Sequence, residues 1–227
     1  MTKESKRLQQ ARTLVEPDKA YTPEEAMELA KKTATTKFRG SIEVHINLGI
    51  DAKAADQIVR GQVKMPHSTG KSVRVVAFVT QAKEDEAKNA GADIVGGEEL
   101  IKEIQGSQKT DFDMAVAEPA MMPKLAAVAK ILGPRGLMPS PRTGTVSPNV
   151  GQTVAEIKGG RIDFKNDDSG NVHIMLGKAD METGALVENL KVLYKAVEQA
   201  KPATLKRQYI RNVTVNATMG PGIKVNI

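Results

Sequence analysis

Few residues in this chain have the type and spacing needed for chemistry. Cys is absent, so thiolate nucleophiles, thiolate metal ligation and disulfides are excluded. The three histidines, His45, His67 and His173, lie far apart in sequence and make no short metal-ligand spacing. No Ser sits in a recognisable nucleophile elbow. Gly70-Lys71-Ser72 has the ending of a phosphate-binding loop. However, Met65 stands where that loop needs its first Gly, and the triplet precedes an apolar strand instead of opening a helix. Gly91, Gly96 and Gly97 lack the dinucleotide-binding spacing, and Gly91 reads as a helix stop. Asp167-Asp168 falls in a turn, where Asp is favoured for its backbone bonds. The residues argue against an enzyme, and no cofactor or metal is expected.

The stretch Lys130-Ile131-Leu132-Gly133-Pro134-Arg135-Gly136-Leu137-Met138-Pro139 is the most distinctive. An apolar helical run from Leu125 to Leu132 is expected to stop at Gly133-Pro134. Two readings fit Arg135 between its glycines: a backbone that lets a phosphate come close, or a tight structural loop in which Arg135 holds carbonyls.

Basic and hydroxyl groups near the chain ends offer another kind of chemistry. Lys37-Phe38-Arg39-Gly40-Ser41 leads into a strand, and Phe38 could shield a sugar or sit at a strand edge as core. Arg161, Lys165, Lys206, Arg207 and Arg211 lie in or beside strands, as a solvated face would. Thr218-Met219-Gly220 sets small residues and amides at a turn, which suits close approach to a ribose and equally suits an ordinary turn.

The elements that must position these groups fall into two patterns. A polar basic helix is expected over 3–15, and a capping box, Thr22-Pro23-Glu24-Glu25, opens another that runs to about Lys32. Ser41 to Asn47 alternates strictly, with Ile42, Val44 and Ile46 on one face and Ser41, Glu43, His45 and Asn47 on the other. Gln62 to Met65 is a candidate second strand. Past Pro66 the pattern changes. Val73 to Val79, Ala92 to Val95 and Met114 to Ala117 are short buried strands, with helices over 81–90 and 98–104 between them. From Arg161 alternation returns. Arg161 to Phe164 and Val172 to Leu176 flank a turn and predict a hairpin. An amphipathic helix over 184–200 follows, then strands from Val213 to Ala217 and from Ile223 to Ile227.

The N-terminal flank has too few strands for a sheet of its own. The simplest solution is one antiparallel α+β domain from 1–66 and 160–227, with a parallel, Rossmann-like three-layer α/β domain, 67–159, inserted. The net charge of +6 supports the division: residues 68–159 carry 11 Lys/Arg against 11 Asp/Glu, so the whole excess lies in the flanks. A basic flank leans towards a polyanionic partner. Aromatics are only 3%, with no Trp, which disfavours an RNA binder built on stacking platforms. No apolar run approaches the ~20 residues that span a bilayer, and Met1 to Arg12 has no apolar signal core. A soluble cytoplasmic protein without membrane association is expected.

Together these motifs resemble the bacterial L-one family of large-subunit ribosomal proteins, the proteins of the mobile side stalk, over essentially the whole chain. Lys130 to Pro139 with Gly144-Thr145-Val146 carries most of the resemblance. Leu48-Gly49-Ile50-Asp51, Val59-Arg60-Gly61, Gly96-Gly97-Glu98-Glu99, Gly160-Arg161-Ile162 and Thr218-Met219-Gly220-Pro221 support it. The resemblance implies a non-enzymatic constituent of the ribosome, monomeric when free. Its first domain would bind large-subunit rRNA. It would assist movement and release of exit-site tRNA, and would repress its own operon by binding the operon mRNA. Carried over by position, the RNA surface centres on Phe38, Ser41, Thr218, Met219 and Gly220, with Lys37, Glu43, Arg161 and Lys165 as neighbours. The family often has Thr where Ser41 stands, and the hydroxyl is kept. Two rivals are a nucleotide-using enzyme on the inserted domain and a DNA-binding regulator.

Overall fold

The computed structural model describes residues 5–17, 19–52, 54–70 and 72–227. Nine strands are seen among them: β1 (Ser41–Leu48), β2 (Arg60–Lys64), β3 (Val75–Phe78), β4 (Ile94–Gly96), β5 (Met114–Ala117), β6 (Arg161–Lys165), β7 (Asn171–Lys178), β8 (Ile210–Ala217) and β9 (Ile223–Lys224). The helices are α1 (Lys6–Thr13), α2 (Pro23–Thr33), α3 (Glu84–Asn89), α4 (Glu98–Ser107), α5 (Met122–Leu125), α6 (Ala129–Leu132), α7 (Val150–Lys158) and α8 (Thr183–Gln199). The chain divides into two compact units, Met1–Lys71 with Ile162–Ile227, and Ser72–Arg161. By sequence the first carries 22 Lys/Arg against 16 Asp/Glu and the second 11 against 11. All of the net charge therefore belongs to the first.

In the first unit four strands make one antiparallel sheet in the order β7-β1-β8-β9. The alternation of β1 explains which side is covered. Ile42, Val44, Ile46 and Leu48 are buried, while Ser41, Glu43, His45 and Asn47 are half-buried on the other face. Two helices pack on the apolar side. The capping box of α2 is complete, with the Thr22 hydroxyl on the Glu25 amide and the Glu25 carboxylate on the Thr22 amide. Its Ala26, Met27 and Ala30 are fully buried, as are Leu186, Leu190, Leu193 and Val197 of α8. All seven form one core cluster with the buried residues of β1.

The expected hairpin over 161–176 does not form. Its turn is present, with the Asp167 carboxylate accepting from the amides of Ser169 (2.9 Å) and Asn171 (2.6 Å). However, β6 pairs with β2 in a separate two-stranded sheet, while β7 joins β1. The turn residues fix a reversal of the chain, but the burial of Phe164 and of Val63 beside the main core decides the partners. At the C-terminus, β9 ends at Lys224. Val225 still bridges to Tyr21, whereas Ile227 is exposed.

The second unit is a parallel sheet in the order β4-β3-β5. Val76 and Phe78 face one layer, with Ile101 and Ile104 of α4 and Leu125, Val128 and Leu132 beyond β5. Val75, Ala77 and Val79 face the other, with Ala87 of α3 and Val150, Val154 and Ile157 of α7. Burial on both faces is why these strands read as unbroken apolar runs. Two details differ from the sequence reading. Helix α4 runs through Gly106 to Ser107 and is capped by Gln108 at φ 55°. The run 125–132 is a chain of short helical turns, α5 and α6 with a 3₁₀ turn between them.

Candidate nucleic-acid interface

Strand β1 begins at Ser41 and its antiparallel neighbour β8 ends at Ala217, so Thr218 lands beside Ser41. The Thr218 amide donates to the Ser41 carbonyl at 2.9 Å. The Thr218 hydroxyl accepts from the Ser41 amide at 2.9 Å and donates to the Ser41 carbonyl at 3.1 Å. This side chain therefore stitches the two strand ends together. Next in the chain, Met219 sits at φ 62°, a left-handed conformation that costs a non-glycine residue about 1–2 kcal/mol. The turn closes through the Gly220 amide on the Ala217 carbonyl at 2.7 Å, and a Cβ at Gly220 would come within 3.0 Å of that oxygen. The Met219 side chain is left 65% exposed.

The segment before β1 folds against the same turn. A Cβ at Gly40 would lie 3.6 Å from the Thr36 hydroxyl and 3.8 Å from Thr218 Cβ. The Thr36 hydroxyl donates to the Phe38 carbonyl at 2.9 Å, and the Phe38 ring stands out of the surface, 57% exposed. Phe38 is thus not a core residue. Lys37 is exposed beside it. Arg39 is paired with Asp180 at 2.6 Å, and that bond holds the Asp180 carboxyl below the usual carboxylate range. Glu43 lies two residues along β1 from Ser41 on the same face, opposite Met175 and Asn216. Seven of the nine predicted site residues are therefore gathered at one end of the main sheet or directly beside it.

The other two are not. Arg161 belongs to the second unit and is 9% exposed, with its guanidinium on the Glu156 carboxylate (3.2 Å) and the Thr143 carbonyl. The expectation that it joins the surface is corrected: it is a buried structural arginine. Lys165 is exposed, but the turn that follows it meets β1 at Leu48, where the Leu48 amide donates to the Gly170 carbonyl at 2.9 Å. Seven residues of strand, roughly 23 Å, separate Leu48 from Ser41.

Two basic residues at this end were not among the candidates. Arg7 of α1 donates to the Met219 carbonyl at 2.8 Å and to the Thr35 hydroxyl at 3.3 Å. Lys178, opposite Ser41 on β7, donates to the Ser41 hydroxyl at 3.2 Å. The basic helix was legible, but not where it docks. Lys178 lies beyond a register shift between Ile42 and Glu43 that no residue pattern announces.

Along the open face the strand residues bond to one another. Nδ1 of His45 and Nδ1 of His173 are 2.6 Å apart, and the Asn47 amide donates to the Asn171 amide oxygen at 2.7 Å. Asp167 caps this row. Its carboxyl is pulled down to about 2, chiefly by the bond from the Asn171 backbone amide.

In the second unit the Arg135 loop has no phosphate-cradle geometry. Gly133 is right-handed at φ −58°, and the left-handed residue is Gly136 at φ 71°. The Leu137 amide closes the loop on the Leu132 carbonyl at 3.0 Å, and Arg135 donates to the Thr110 hydroxyl instead of to carbonyls. The cleft beyond the ends of β3 and β4 is lined by Glu84, Glu98, Glu99 and Glu103 against Lys102 and Lys124, with Lys124 already paired to Glu98 at 2.5 Å, a net negative setting that does not favour a nucleotide phosphate. Of the Gly70-Lys71-Ser72 triplet, Lys71 lies outside the described residues.

An antiparallel α+β unit made from both chain ends, interrupted by a parallel three-layer α/β unit, is the architecture of the L-one class of ribosomal proteins. Residues 30–221 match the model of the Ribosomal protein L1p/L10e family, and the chain belongs to that family. Proteins named large ribosomal subunit protein uL1 are similar over nearly all of their lengths. The one from Saccharopolyspora erythraea is 51% identical, covering 100% of this chain and 94% of its own. That from Mycoplasma capricolum is 49% identical, covering 99% of each. That from Fervidobacterium nodosum is 46% identical, covering 100% and 97%. The family is structural and non-enzymatic.

Proposed function

We propose that this chain is a constituent of the large ribosomal subunit, bound to it in the cytoplasm, that grips folded rRNA through its first unit. The joint between Ser41 and Thr218, with Phe38 and Met219 exposed on either side, carries the reading. Its internal hydrogen bonds hold the Ser41 hydroxyl and the Met219 turn rigidly for ribose and RNA shape, flanked by two apolar side chains that can lie against sugar or base faces. Lys37 and the +6 charge of this unit supply the attraction that does not depend on sequence.

In the same reading the protein assists exit-site tRNA movement and release, and represses its own operon by placing the same surface on an rRNA-like element of the mRNA. One grip for both RNAs makes the two bindings mutually exclusive. A chain in which residues 72–161 are replaced by a short linker tests the assignment. It should keep specific binding to large-subunit rRNA fragments. Loss of binding by a well-folded variant counts against it.

A further inference from the structure

We propose that His45 and His173 form a two-histidine site for a late first-row divalent cation, of the Zn²⁺, Ni²⁺ or Cu²⁺ type. The two residues sit directly opposite each other on β1 and β7, on the open face of the sheet. Their rings meet edge to face with centroids 4.9 Å apart. Such ions favour imidazole nitrogen.

The outer nitrogens decide what the inner ones present. Nε2 of His173 faces the Asp167 carboxylate at 3.3 Å, whose oxygens accept. Nε2 of His45 faces the Asn216 amide oxygen at 2.9 Å. With Nε2 of each ring donating outwards, the two Nδ1 atoms, 2.6 Å apart, share one proton between them or give it up to a metal. At 2.6 Å the contact is that of a hydrogen bond, so a metal must displace the shared proton. A metal held by both nitrogens at about 2.0–2.1 Å needs them roughly 3 Å apart, an opening of a few tenths of an ångström. The His173 side chain is 50% exposed, so its ring is free to move that far.

The outer partners also suit a metal. An imidazole that donates its far N–H to a carboxylate or amide oxygen is the usual support of a ligating histidine. Among the described residues no third His, Cys or carboxylate converges on the pair, so water completes the coordination.

The test is a titration of the full-length protein with Zn²⁺, followed by calorimetry and by the ¹⁵N resonances of the imidazole rings. The expected result is saturable uptake of one ion per chain, with both Nδ1 resonances shifting together. His45→Gln and His173→Gln should each weaken it at least about tenfold, Asp167→Asn several-fold, and His67→Gln not at all. Uptake unchanged in His45→Gln and His173→Gln, no saturable uptake, or rings that exchange only a proton would overturn the proposal.

Discussion

The Thr218 hydroxyl accepts from the Ser41 amide at 2.9 Å and donates to the Ser41 carbonyl at 3.1 Å. A side chain expected to read RNA thus spends its hydrogen bonds on the protein. Its role in binding is to hold Ser41, Met219 and Gly220 in register. Thr218→Ala should therefore lower affinity for an rRNA fragment about tenfold, the equivalent of one net hydrogen bond of ~1.4 kcal/mol. Thr218→Ser, which keeps the hydroxyl, should stay near wild type. The salt dependence of both should be unchanged. Filter or fluorescence titrations check this, and equal losses in the two variants would point to the methyl group instead.

Lys37 acts differently. It is exposed, with no rigid geometry to maintain. Lys37→Ala should flatten the plot of log affinity against log salt by about 0.7–0.9 of a slope unit, the signature of one lost phosphate contact. An unchanged slope would place Lys37 off the RNA.

Arg7 holds the carbonyl of a residue in a strained conformation. Its loss should let the Met219 turn relax. Arg7→Ala is expected to reduce rRNA affinity about fivefold, or ~1 kcal/mol. Arg7→Lys should recover only part of that, since a point charge replaces a fork. Circular dichroism should show the fold intact, because α1 buries only Ala11 within its span.

The second unit supplies a pH test. The Glu118 carboxylate accepts from Lys83 (2.9 Å) and from the Thr80 amide (3.1 Å) and hydroxyl (2.9 Å), and it is 13% exposed. Chiefly through Lys83, its carboxyl lies below the usual value of 4.5. A lowered folded value means that stability is present above the unfolded value and is lost as pH falls through the folded one. Glu118→Gln should cost about 1–2 kcal/mol at pH 7, and the gap from wild type should narrow by pH 3. Urea denaturation at the two pH values measures it.

Much of the fold was legible because burial leaves a period in the sequence. β1 alternates since one face is open, and β3 is continuous since both are covered. The capping box of α2 is local chemistry and forms as read. What local pattern could not give was pairing. The 166–170 turn looked like a hairpin, yet its strands go to different sheets, because partners are chosen by tertiary packing. Gly133 looked like the left-handed stop before Arg135, but Pro134 follows it directly and the reversal falls at Gly136. In the candidate site, Phe38, Ser41 and Thr218-Met219-Gly220 were found through family resemblance and lie together. Arg161 was also found that way, but its guanidinium is buried on Glu156, and no sequence pattern separates a buried arginine from a solvated one.

The most direct test of the central claim compares wild type and Met219→Asp in titrations against a large-subunit rRNA fragment and DNA of the same sequence, at several salt concentrations. Wild type should prefer RNA at every salt concentration, as 2′-hydroxyl and shape readout requires. Met219→Asp should lose most of that preference while keeping the weak, salt-sensitive binding that both nucleic acids share. Wild-type RNA affinity in Met219→Asp, or equal affinity of wild type for RNA and DNA, would contradict the account.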